Sequence, residues 1–236
     1  MNATNTNRWI GIGLLGLPLY GALTFWSTLD AQPDPNTRLE AWSRFVTTDR
    51  YLITHVFGSD LALVLAIFGV FALGAHLTAS RAGRLGLVAM AITVLGSALN
   101  LMIGGYSTFA SPEQGQMYLQ GIEEYLDMPP ILAQMAFTAT FGLAIVLVLV
   151  GNALLGVAVW RSGILPKWAE AIWAASALLF YVLGAVLGML TTGGALVTQP
   201  VAALLMVIGG GWMAYSVLRR PSAQTFVGAQ AQPRVQ

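Results

Sequence analysis

The chain has 236 residues, of which 56% are hydrophobic and 9% charged, with a formal net charge of +1 and no cysteine. Soluble domains carry roughly 45–50% apolar and 25% charged residues, so this composition belongs in lipid. It excludes disulfides, thiolate metal centres and thiol nucleophiles, and the absence of any Lys/Arg-rich cluster argues against nucleic acid as a partner.

A helix rising 1.5 Å per residue needs about 20 mostly apolar residues to cross some 30 Å of hydrocarbon. Six segments meet that criterion, at about 9–29, 51–79, 85–109, 130–160, 168–190 and 200–218, and they predict an all-α, polytopic membrane helix bundle occupying residues 1–218. The first begins like a signal peptide, with Arg8 before an apolar stretch. Its charge-free run from Trp9 to Leu29 is too long for an h-region and no A-x-A-like site follows, so it reads as an uncleaved span, bent at Pro18. Gly11-Ile12-Gly13-Leu14-Leu15-Gly16 matches the dinucleotide fingerprint letter by letter. No strand precedes it and no solvent-facing helix start receives a pyrophosphate, so these glycines are read as points of close helix approach.

Between the first two spans, Thr37-Arg38-Leu39-Glu40 fits a capping box, and Leu39, Trp42, Phe45 and Val46 repeat at helical spacing. The pattern predicts a short helix at the outer interface. A second outer helix is expected around Met117 to Leu126, ended by Pro129-Pro130. The second span carries the chain's most demanding residues, Asp60 with His55 and His76. Asp60 lies about ten residues inside the span, and no Lys or Arg lies within any span to neutralise it. It must be protonated, reach polar groups of adjacent helices, or line a water-filled cavity.

Helix directions place Asn100, Gln134 and Gln199 at similar depth, with His55 added although five residues turn it well off the face of Asp60. Two readings follow. Either these side chains tie helices together at about 1 kcal/mol per pair, or they line a pocket open to the outside that binds a proton, a cation or a small polar or lipid-like ligand. A third, a membrane-embedded enzyme acting on a lipid or terpenoid, requires a second acid from Glu123, Glu124 or Asp127. The two histidines are 21 residues apart, about 31 Å along a helix, and cannot share a metal or haem. No cofactor is implied, and no nucleophile-elbow, metalloprotease or P-loop spacing is present.

Six spans place eight basic residues on one side (Arg8, Arg81, Arg84, Arg161, Lys167, Arg219, Arg220, Arg234) and three on the other. By the positive-inside rule both termini are cytoplasmic, with Glu170 counted as the one acid on that side and residues 219–236 as a disordered tail. Arg81-Ala82-Gly83-Arg84-Leu85 and Arg161-Ser162-Gly163-Ile164-Leu165 share an R-x-G-x-L pattern and hint that the second and third spans duplicate the fourth and fifth.

The run Trp160-Arg161-Ser162-Gly163-Ile164-Leu165-Pro166-Lys167-Trp168-Ala169 resembles a helix junction of uncharacterised multi-pass membrane proteins of high-GC bacteria, and His55 through Leu61-Ala62-Leu63 to His76 is similar to their second span. The resemblance implies a bacterial plasma-membrane protein and brings no activity with it. The sequence therefore predicts a membrane protein that transports or senses a small solute or proton through a pocket around Asp60, or an accessory subunit in which Asp60 is packing glue.

Overall fold

The computed structural model describes residues 3–30, 32–122, 132–191 and 197–219, and they form an all-α bundle. Six helices are long and apolar enough to cross a membrane: Arg8–Ser27, Asp49–Thr78, Gly83–Leu119, Met135–Ser162, Lys167–Val186 and Thr198–Leu218, here the first to sixth spans. Residues 123–131 and 192–196 and the tail from Arg220 lie outside the described residues. So do the expected Pro129-Pro130 helix stop and Glu123, Glu124 and Asp127.

Small residues sit between the helices beside larger ones such as Leu17, Leu73 and Met213. Ala62, Ala66, Ala158, Ala169 and Ala202 are buried between helices, whereas Phe68, Leu95, Val146, Trp168 and Ile208 face outward. Water would not leave such a girdle exposed, and lipid requires it. With no hydrophobic drive between helices in lipid, association depends on close backbone approach. A Cβ on Gly96 would lie 2.7 Å from the amide nitrogen of Val148, and one on Gly209 would lie 2.7 Å from the carbonyl oxygen of Ala169. Gly16 is pressed against the Leu65 carbonyl, so three glycines let the first, third and sixth spans touch their neighbours' main chains.

Four departures from ideal helix shape the bundle. The first helix breaks at Leu15 into Ala3–Leu14 and Gly16–Ser27, because Pro18 has no N–H for the carbonyl of Leu14. The third span runs unbroken from Gly83 to Leu119, through Gly104-Gly105 and Pro112, where two separate elements were expected. Its extension takes in Met117 to Leu119 and ends at Gly121, whose φ of +78° lets Ile122 N bond back to Met117 O at 3.0 Å. The second and fifth spans each contain a π turn, Val56–Leu61 and Leu178–Val186. The third and fourth contain none, so the aligned halves of the suspected duplication differ where the winding changes.

The helix Leu39–Val46 is present, but not with the expected cap or setting. Thr37 gives its hydroxyl to Asp34 Oδ2 at 2.8 Å, and Glu40 pairs with Arg44, so the capping box does not form. Asp34 organises the entry instead, with Oδ1 accepting from Asn36 N at 3.0 Å. Trp42 and Val46 pack on Tyr51, and Ser43 and Val46 close on Gly115, so the apolar face meets protein at the outer extension of the third span.

At the opposite end Trp160 and Trp168 meet edge to face at 6.2 Å, with Lys167 Nζ 4.9 Å from the Trp160 ring. Arg219 covers Tyr215 at 4.6 Å. Aromatic rings under basic residues are the pattern of a membrane–water boundary. Six antiparallel spans place Arg8, Arg81, Arg84, Arg161 and Arg219 together, which gives the bundle an arginine-rich face and an acidic face.

A candidate polar cavity between the outer helix ends

A cavity of about 490 Å³ opens at the acidic face between the six spans, the fourth contributing Phe141. Its wall includes His55, Asn100 and Gln199, together with Tyr20, Thr24 and Tyr181. Three of the five residues singled out from the sequence therefore share one space. The side chain of Gln134 lies outside the described residues.

Asp60 is placed differently. It is not part of the cavity wall; its Oδ1 stands 3.0 Å from where a Cβ on Gly104 would be, in the seam between the second and third spans. The glycine admits the carboxylate to this seam, and Gly104 itself lines the cavity. Thr108, one turn further along the third span, faces the same carboxylate. Oδ1 of Asp60 and Oγ1 of Thr108 are both buried, and neither closes a hydrogen bond of normal length and angle among the described residues.

His55 belongs to the last turn before the π segment. Its Nδ1 lies 2.9 Å from Tyr51 O, and its ring stacks on Tyr51 at 3.8 Å between centroids. A carbonyl only accepts, so Nδ1 carries the proton and Nε2 offers a lone pair. Tyr51 in turn donates its hydroxyl to Ser107 O at 3.3 Å, which fixes this stack to the third span. Asn100 Nδ2 donates to Tyr181 Oη at 3.0 Å, and the Tyr181 hydroxyl adjoins that of Tyr20. Gln199 lays its stem over Gly184, where any Cβ would collide with it.

At the mouth, Arg50 Nε donates to Asp30 Oδ2 at 2.7 Å and ties the outer end of the first span to the start of the second. Thr48 begins that span by accepting from Tyr51 N at 3.2 Å. The cavity thus combines aromatic surface, hydroxyl and amide groups and an imidazole lone pair, with the carboxyl group of Asp60 behind one wall. It suits a small ligand that is polar or positively charged at one end and apolar elsewhere.

Tyr20 and Tyr181 escaped the sequence reading because a tyrosine scores as hydrophobic. The available signal was position: each lies well over ten residues from its basic end, too deep for an interfacial belt, and a buried phenol needs a partner. Glu170 was also misplaced. It is 1% exposed inside the bundle, not an acid at the membrane surface. Beside it, Trp173 Nε1 donates to Asn152 Oδ1 at 2.8 Å, and Asn152 Nδ2 donates to Val148 O at 2.8 Å.

Among the described residues no three His, Asp or Glu side chains converge as metal ligands. A scan against protein-family models matches none, and neither the curated proteins nor the solved structures give a match. Six apolar helices in an all-α bundle fit a membrane-embedded, multi-pass protein.

Proposed function

We propose that the protein binds a small organic cation or polar solute in the cavity at the acidic face, as a transporter or a ligand sensor of a bacterial plasma membrane. The basic asymmetry supports an orientation with both termini in the cytoplasm and the cavity facing outward. The observation that carries the reading is the convergence of His55, Asn100, Gln199, Tyr20 and Tyr181 on one open space, with a carboxyl group that has no cationic partner among the described residues in the adjoining seam. Aromatic faces and a carboxylate together attract an ammonium group, and the hydroxyl and amide groups orient it.

Tetramethylammonium serves as the probe, with thermal unfolding of the purified chain in detergent as the readout. The wild type is expected to gain stability with ligand concentration, as linkage requires. Asp60→Asn is expected to keep its fold and lose that response. A ligand response unchanged in Asp60→Asn removes the carboxylate from the site.

A second reading has an observation of its own: Asp60 points into the seam beside Gly104 and Thr108 and not into the open space. In that reading the chain is an accessory subunit and Asp60 holds the second and third spans together. It predicts that Asp60→Asn unfolds at lower temperature with no ligand response in either protein.

A further inference from the structure

The fifth span enters from the arginine-rich face with a carboxyl group that the outer cavity does not use. Neither oxygen of Glu170 meets a hydrogen-bond partner among the described residues, although the side chain is 99% buried, the complement of its 1% exposure. Across from it, on the fourth span, stands Gly156, where a Cβ would lie 3.8 Å from Glu170 Cγ and 3.9 Å from Oε1. The glycine leaves the carboxyl uncrowded. One turn further along these two spans are Asn152 and Trp173, bonded to each other.

The basic groups at the near ends of the fourth, fifth and sixth spans are directed elsewhere. Arg161 of the fourth span lines a groove with Arg81 and Arg84, Lys167 of the fifth covers Trp160, and Arg219 beyond the sixth covers Tyr215. Tyr20 of the first span packs on Trp173 at 6.2 Å, and Tyr181 of the fifth meets Asn100. A buried carboxylate without a donor or a cation is a costly species, so a carboxyl group in this setting keeps its proton until the packing around it changes.

We infer that Glu170 is a proton-binding site whose loading sets the Asn152–Trp173 hydrogen bond. With the proton on, the carboxyl is neutral and Asn152 and Trp173 satisfy each other. When the Glu170 O–H bond breaks, the proton leaves to water at the arginine-rich face, three residues away at Lys167. The carboxylate then needs donors, and the Trp173 indole N–H and the Asn152 amide are those within one helical turn. Taking either opens the bond between them. Asn152, Trp173, Thr93, Ser97 and Ser176 line a small cavity of about 20 Å³, room for one water, which also reaches Tyr20 and Tyr181 in the wall of the outer cavity. The switch therefore lies between the two faces of the bundle. This site stands on its own residues, whatever ligand the outer cavity takes.

Labelling by N,N′-dicyclohexylcarbodiimide tests it, because the protonated carboxyl adds its O–H across a C=N bond and the carboxylate does not. The full chain in neutral liposomes is treated across a pH series and the adduct located by peptide mass spectrometry. Glu170 labelling is expected to fall about tenfold from one pH unit below to one above its titration midpoint. The Trp173 emission, taken as the difference between wild type and Trp173→Phe, is expected to shift over the same range. Glu170→Gln keeps the neutral shape, and Glu170→Leu is a second, apolar variant. Each is expected to lose the adduct and to hold Trp173 emission constant with pH. Absence of a Glu170 adduct, pH-independent labelling, or a Trp173 transition that survives in both variants overturns the inference. Loss of tetramethylammonium binding in Asp60→Asn with Glu170 labelling intact bears only on the outer cavity.

Discussion

Arg81 donates its Nε–H to the carbonyl oxygen of Arg161 at 2.7 Å, so one short loop on the arginine-rich face closes the end of the fourth span beside the other loop. The last carbonyls of a helix lack amide partners, and a cation there also meets the negative end of the helix dipole. Gly163, with φ of +70°, ends the helix so that this carbonyl is presented. Arg81→Ala is expected to destabilise the detergent-solubilised protein by about 1 kcal/mol in denaturant titration, since the pair is exposed. Arg81→Lys is expected to recover part of that through charge alone.

The seam between the third and fourth spans sets a contrast between two glycines. Gly96→Ala puts a methyl group 2.7 Å from Val148 N and 2.8 Å from Leu147 Cβ, so the two backbones must part. A loss of about 1–3 kcal/mol is expected. Gly142→Ala, where a Cβ meets nothing within 4 Å, is expected to be neutral or to stabilise the helix by up to about 1 kcal/mol. Equal thermal shifts for the two would deny that close backbone contact holds this seam.

Asn152 and Trp173 form a buried pair suited to a double-mutant cycle. Asn152→Leu strands the indole N–H, and a cost of about 1–3 kcal/mol is expected. Adding Trp173→Phe removes the stranded donor, so the double variant is expected to be more stable than the sum of the single effects allows. Strict additivity would show that the 2.8 Å bond contributes nothing.

The turn before the outer helix gives a pH prediction. The Asn36 amide N–H and then the Thr37 hydroxyl hold the Asp34 carboxyl below its ordinary range, against a smaller opposing effect of burial. A group lowered on folding stabilises the turn above its unfolded value, about pH 4, and that stability is lost as pH falls through the folded value. Acidification is therefore expected to shift the Asn36 and Thr37 NMR signals together, below the ordinary carboxylate range. Asp34→Asn is expected to abolish the transition.

The spans and the charge asymmetry were legible because hydropathy and loop charge depend only on composition along the chain. What the sequence hid depends on competition between partners or on winding. Thr37 and Glu40 spell a capping box, yet Asp34 and Arg44 take the two side chains first. Gly104-Gly105 and Pro112 look like helix breakers, but the third span carries all three within one helix of 37 residues. Glu170 stands three residues from Lys167 and reads as a surface acid, while tertiary packing buries it. Of the residues proposed from depth alone, His55, Asn100 and Gln199 line the cavity, and Asp60 faces the adjacent seam.

A wide turn, Val56–Leu61, follows His55 and contains Asp60, and it brings the two to neighbouring spaces. Five residues in an α-helix separate two side chains by about 140° around the axis, which is why His55 and Asp60 seem unrelated on paper. Bonding from i to i+5 slackens the winding and swings them toward one quadrant. The turn acts as a phase shift: the segments on either side of it are indexed to different neighbours, and no single helical wheel describes the whole span. The fifth span repeats the device at Leu178–Val186, so the two walls bearing His55 and Tyr181 are both set by an offset in phase, not by residue spacing.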